Sequence, residues 1–164
     1  MKARWSLVSS LLVAAGMSAG AAVAADLEPG RSTAQEVIAE MGKPAMEVKR
    51  PNGEQLLYFT KYPFGRTVQV ATIGADGKLR GIEERLTKQN IYSIKQGMRE
   101  QEVRELLGPP RQITPNKRTK TTEWEYPWLE AAKEKRIFWV SFSAEGVVVK
   151  VLEMHDEEAE PTSD

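Results

Sequence analysis

The fold is decided by the stretch Ile94-Lys95-Gln96-Gly97-Met98-Arg99-Glu100-Gln101-Glu102-Val103-Arg104-Glu105-Leu106-Leu107-Gly108-Pro109-Pro110, because an earlier stretch repeats its plan. Leu27-Glu28-Pro29-Gly30, followed by Arg31 to Pro44, carries the same landmarks in the same order. A Gly precedes a short helical pattern, a Val sits five residues ahead of a second Gly, and a Pro follows two residues after that Gly. The correspondence continues downstream, where Tyr62-Pro63-Phe64 matches Tyr126-Pro127-Trp128 and Asp76-Gly77 matches Glu145-Gly146. The offsets are 66, 64 and 69 residues, a single register with small loop changes. Landmarks recurring at a fixed period mark a duplicated unit, and two small units can together bury a core that one would bury poorly.

Each copy reads as one helix followed by a three-stranded antiparallel meander. In the first, Ser32 with Gln35 or Thr33 with Glu36 provides a capping box, and Val37, Ile38 and Met41 form one apolar stripe. Gly42 then Pro44 stops the helix, since Gly takes the left-handed terminal position and Pro cannot continue. In the second, Val103, Leu106 and Leu107 form the stripe and Gly108-Pro109-Pro110 stops it. Strands are expected over 55–60, 67–73 and 79–86, with a tight Ala75-Asp76-Gly77-Lys78 turn, and over 122–126, 137–143 and 147–154. Residues 87–93 link the copies, helically if at all. The architecture is therefore α+β, a tandem repeat with helices packed on one face of the sheet.

The flanks read differently. Lys2 and Arg4 precede the apolar run from Leu7, and a small-residue stretch ends with Val23 and Ala25 at the spacing of a signal-peptide cleavage site. Residues 1–25 are thus expected to be a cleaved secretory leader, giving a periplasmic or secreted protein that begins at Asp26 with 21 basic and 23 acidic residues. The first unit then occupies 26–88 and the second 89–155. From Glu153 onward the chain is acidic, and 156–164 is expected to be a disordered tail. Near-balanced charge gives no global attraction to nucleic acid or anionic membrane, and the leader argues further against nucleic acid.

Catalytic chemistry finds little support in the residue inventory. There is no Cys and a single His, His155, so thiolate, zinc and Ser-His-Asp sites lack their parts. No phosphate-binding Gly-rich loop or dinucleotide fingerprint is present. The adjacent carboxylates Glu83-Glu84 would face opposite sides of a strand, where an acid/base pair must converge. No catalytic residue, metal ligand or cofactor is assigned, and an enzyme is not expected.

The segment from Gly97 to Pro110, with its Gly-Met, polar helix start, Val, Leu-Leu-Gly and Pro, resembles the signature of the SmpA/OmlA domain, the BamE-like outer membrane protein assembly factors. The first copy matches more loosely, being one residue longer between Gly30 and Val37 and carrying Met41 in place of the second Leu. A tandem of this unit is also similar to the β-lactamase-inhibitor-protein fold, whose paired sheets form a concave binding surface. The resemblance implies a non-catalytic periplasmic binding module connected with outer membrane protein assembly, its partner being an envelope protein such as the barrel assembly machinery. The alternative it implies is an inhibitor or sensor that binds a periplasmic enzyme through a concave sheet. Family members are usually anchored through a Cys after the leader, and without one no lipid anchor is expected here.

Binding residues are expected in the second copy. Trp124, Trp128 and Trp139, the Trp residues that follow the leader, all lie there with Tyr126, Phe138 and Phe142 among them. Strand alternation puts Phe138, Val140 and Phe142 on one face, forming core with Val103 and Leu107, and Trp139 on the other, with Trp124 or Tyr126 as its cross-strand neighbour. This aromatic face is either a partner surface or is covered by the other unit. The cations Lys117, Arg118 and Lys120, placed between a helix and a strand, together with Lys133, Lys135 and Arg136, either meet a partner or an anionic lipid headgroup or are solvated charge.

Overall fold

The Gly–Pro stops end two helices of identical length. In the computed structural model, which describes residues 26–130 and 134–156, α1 spans Ala34–Met41 and α3 spans Glu100–Leu107. Gly42 and Gly108 terminate them at φ 87° and 81°, and their N–H groups donate to Ile38 O at 2.9 Å and Arg104 O at 2.8 Å. Of the two capping boxes the sequence offered for α1, the Thr33/Glu36 pair forms: Thr33 Oγ1 accepts from Glu36 N at 3.3 Å, and Glu36 accepts from Thr33 N at 2.7 Å. The Thr33 N–H, together with the Thr33 hydroxyl donating at 2.9 Å, holds the Glu36 carboxyl below its ordinary range. At α3 only half of this box exists. Glu102 accepts from Arg99 N at 2.6 Å, but a guanidinium has no acceptor with which to return the bond.

Each helix belongs to a four-stranded antiparallel sheet. The first contains β1 (Met46–Lys49), β2 (Gln55–Thr60), β3 (Val68–Ile73) and β4 (Leu79–Glu84); the second contains β5 (Gln112–Asn116), β6 (Thr121–Leu129), β7 (Lys135–Phe142) and β8 (Val148–His155). The linking segment is helical as α2 (Lys88–Ser93), capped by Thr87. Expected meanders of three strands are therefore meanders of four. Both additions, β1 and β5, are edge strands pairing on one side only. A central strand could not hold Pro115, whereas an edge strand accommodates its missing N–H. β1 is only four residues long, too short for its alternation to stand out.

The duplication extends to the hydrogen bonds. Thr33 bridges Lys78 and Arg99 bridges Val147, tying each helix start to the residue just ahead of the last strand of its unit. Gly30 N donates to Leu79 O at 2.7 Å, and Gly97 N to Val148 O at 2.9 Å. Register shifts fall at Thr72/Ile73 in one sheet and Ser141/Phe142 in the other.

Two cores result. Val37 of α1 packs with Leu57, Phe59, Ala71, Ile73 and Leu79 on one face of the first sheet. The opposite face, Leu56, Tyr58, Val68 and Val70, packs with Ile91, Ile94, Val103 and Leu107 of the helical segment and with Trp124, Tyr126, Phe138, Val140 and Phe142 of the second sheet. The layers run α1, first sheet, α2 with α3, second sheet. Each helix covers a face of its own sheet as expected, and the first sheet is covered on its other face as well. β8 runs to His155, one residue beyond the expected strand end at 154. Asp156 is buried rather than part of a loose tail, because Arg66 from the first unit pairs with it and its own N–H donates to Lys135 O at 3.1 Å. The expected leader, the rest of the expected tail and Lys133 lie outside the described residues.

Candidate functional site

Alternation along β7 separates two environments. Phe138, Val140 and Phe142 are buried against the helices, while Trp139 and Ser141 on the other face are partly exposed. Trp139 stands between Glu125 of β6 and Leu152 of β8, and Ile137 between Pro127 and Met154. Leu152 and Met154 are 44% and 50% exposed, so the middle of this outer face is open. Two shallow hollows meet at Trp139 and Met154. One, of about 320 Å³, is completed by Glu123 and Leu152. The other, of about 270 Å³, is completed by Arg111, Glu125, Ile137, His155 and Asp156. Arg111 Nε donates to Glu125 Oε1 at 2.6 Å and neutralises it. Glu123 meets only an amide, Asn116 Nδ2 at 3.3 Å, among the described residues.

The structure divides the aromatic residues that the sequence grouped together. Trp124, Tyr126 and Trp128 are 1%, 0% and 1% exposed and belong to the core, so they are not a surface cluster around Trp139. The reason is parity. Trp124 pairs with Val140 and Tyr126 with Phe138, both inward-facing, so these side chains share the covered face. Their polar tips are used internally. Tyr126 OH donates to Gly108 O at 3.1 Å, Trp128 Nε1 to Glu153 at 3.1 Å, and Arg104 lies 4.4 Å above the Trp124 ring. Burial pushes the Tyr126 phenol well above its ordinary value, keeping it a neutral donor.

The cations Lys117, Arg118 and Lys120 are exposed, but they form the β5–β6 hairpin turn and not a loop between a helix and a strand. Asn116 Oδ1 accepts from Arg118 N and Thr119 N, each at 3.2 Å, and folds this turn. Arg136 is engaged by Glu130 and Glu134, and exposed His155 lies 3.1 Å from Glu134. Sequence reasoning missed Glu123, Leu152 and Met154 as neighbours of Trp139. The signal was available in β8, where Lys150, Leu152 and Met154 share parity. Phe64, in the β2–β3 loop, was also passed over as a surface residue, and it is 95% exposed. Among the described residues no group of three His, Asp or Glu could hold a metal, and no helix is long and apolar enough to cross a membrane.

Fold and surface together define a tandem α+β repeat protein whose second sheet presents one open face. No family model matches the chain, and no curated protein does. A solved DUF4309 family protein (YjgB) from Bacillus subtilis subsp. subtilis str. 168 is similar at 16% identity and a TM-score of 0.29, over 79% of this chain and 81% of that one. A putative beta-lactamase inhibitor protein from Streptococcus mutans is similar at 14% identity and a TM-score of 0.35, over 75% of this chain and 82% of that one. The second is a counterpart to the inhibitor-fold likeness read from the tandem; the SmpA/OmlA likeness has none among these proteins. Superpositions this loose carry nothing about what the chain binds.

Proposed function

We propose that this protein is a non-catalytic binding module of the periplasm, connected with outer membrane protein assembly or envelope maintenance, which docks a partner protein on the open face of its second sheet. The observation that carries the reading is the exposed middle of that face, where Leu152 and Met154 flank Trp139 on an otherwise ordered sheet. Exposed apolar residues gathered round a Trp are the usual make-up of a protein-binding hot spot. The leader-like residues 1–25 and the Gly97–Pro110 signature support the location and the assembly connection. A second reading, a clamp on a soluble periplasmic enzyme, is favoured by Phe64, an aromatic side chain presented to solvent where a partner's cleft could take it. Pull-down from detergent-solubilised envelope separates the two. Recovery of an outer membrane barrel complex supports the assembly role, and recovery of a soluble enzyme supports the clamp. Where the partner docks on the sheet face, Trp139→Ala is expected to reduce capture about 30-fold or more, the scale of an interface hot spot, with little change in melting temperature. Undiminished capture would remove the sheet face as the docking surface.

A further inference from the structure

We propose that the open face accepts an arginine side chain from its partner, seated on the Trp139 ring with Glu123 as counter-ion and with apolar neighbours in the two hollows beside it. The proposal rests on the reading of this face as a docking surface and specifies its chemistry.

Charge is the first argument. The face carries Glu123 and Glu125 on β6, and Arg111 closes only Glu125. No cation pairs with Glu123 among the described residues. Lys150 lies across Ser141, two strands away, and no ion pair joins it to Glu123. The carboxylate therefore borders an apolar hollow of about 320 Å³, lined by Trp139, Leu152 and Met154, without a positive partner of its own.

The ring supplies the second argument. An aromatic face attracts a cation through its quadrupole, and the planar guanidinium both stacks and binds a carboxylate, which an ammonium does less well. The buried side of the same sheet already makes this contact, with Arg104 of α3 lying 4.4 Å above Trp124.

The third argument comes from the duplication. Aligning the sheets on their register shifts puts Glu123, Glu125 and Trp139 where the first sheet has Leu56, Tyr58 and Val70. In the first unit those positions are covered by the helix of the following unit, with Tyr58 OH donating to Glu105 O at 2.7 Å. The second sheet has no following unit among the described residues to cover the equivalent face. Two of these three positions carry carboxylates in the second sheet, and with Glu125 closed by Arg111 it is Glu123 that calls for a cation from the partner.

The test uses the full chain and a defined probe, acetyl-Leu-Arg-Leu-amide, whose leucines can enter the two hollows. Its neutral control is the same peptide with citrulline in place of arginine. Indole N–H signals are followed by NMR, with the Trp128 signal, bound internally to Glu153, as reference. The Trp139 signal is expected to shift saturably at millimolar arginine peptide, about tenfold more weakly with the citrulline peptide, which loses both the ring contact and the ion pair, and about threefold more weakly for Glu123→Gln, which loses the ion pair alone. No shift with the arginine peptide, equal affinity for both peptides, or indifference to Glu123→Gln each overturns the proposal. Partner capture that still depends on Trp139 while the probe leaves the indole unmoved would refute the arginine site and leave the docking face standing. A shifted indole with capture indifferent to Trp139→Ala would do the opposite.

Discussion

The two units share a plan and differ in what covers them. In β2 the run Leu56-Leu57-Tyr58-Phe59 is buried throughout, because α1 lies on one side and α3 on the other. In β7 burial alternates from Phe138 to Phe142, because only one side is covered there. The helix-stopping glycines differ in the same way. Gly42 ends α1 with nothing near the place a Cβ would occupy, whereas a Cβ on Gly108 would come within 2.5 Å of Val68 Cγ1 and 3.0 Å of Tyr58 Cδ1. Duplication sets strand number, register and helix caps. Position in the stack then sets the chemistry each face can afford, since a face between layers must be apolar and the last face need not be.

That contrast can be broken most sharply at the tryptophans. Trp124→Ala should cost about 3–5 kcal/mol, the range for a fully buried Trp, while Trp139→Ala should stay within about 1 kcal/mol. Denaturant midpoints of the two variants decide the matter, and a loss at Trp139 rivalling that at Trp124 would mean the outer face is covered after all. The glycines come next. Both sit at positive φ, so Ala costs about 1–2 kcal/mol at either. At Gly108 the encounter with Val68 and Tyr58 should add about 1–3 kcal/mol of overpacking. Equal midpoints for Gly42→Ala and Gly108→Ala would contradict the burial of α3 between the sheets.

The smallest effects concern the caps. Thr33→Ala should cost about 1 kcal/mol, and Arg99→Ala, which removes no capping acceptor, less than about 0.5 kcal/mol. Glu36 adds a pH dependence of known sign. Its folded-state value is depressed by the Thr33 hydrogen bonds, so its stabilisation is present above the ordinary carboxylate range and disappears as pH falls through the folded value. Melts of Glu36→Gln and the parent chain should differ at neutral pH and converge in acid; a gap that widens in acid would reverse the assignment.

Much of this was legible from short-range chemistry. The stops at Gly42-Lys43-Pro44 and Gly108-Pro109-Pro110, the Asp76-Gly77 and Glu145-Gly146 turns and the period-2 alternation of β7 each depend on a few consecutive residues. Edge strands were less so, because pairing on one side relaxes the pattern that marks a strand, as Pro115 within β5 illustrates. The candidate surface was half legible. Trp139 was placed opposite Phe138 and Phe142 correctly, but giving it Trp124 or Tyr126 as a neighbour required the β6–β7 register, which depends on the whole hairpin.

The duplication, the helices and their stops, and the division of β7 into two faces were determined by the sequence alone, because capping, turn formation and side-chain alternation act over a few bonds. Which faces would be dry was decided only by tertiary structure. Burial depends on what a distant segment brings: α3 onto Tyr58, Arg66 onto Asp156, and, among the described residues, nothing onto Trp139. Local pattern offers a strand two faces, and only packing between segments far apart in the chain determines which of them is left to meet a partner.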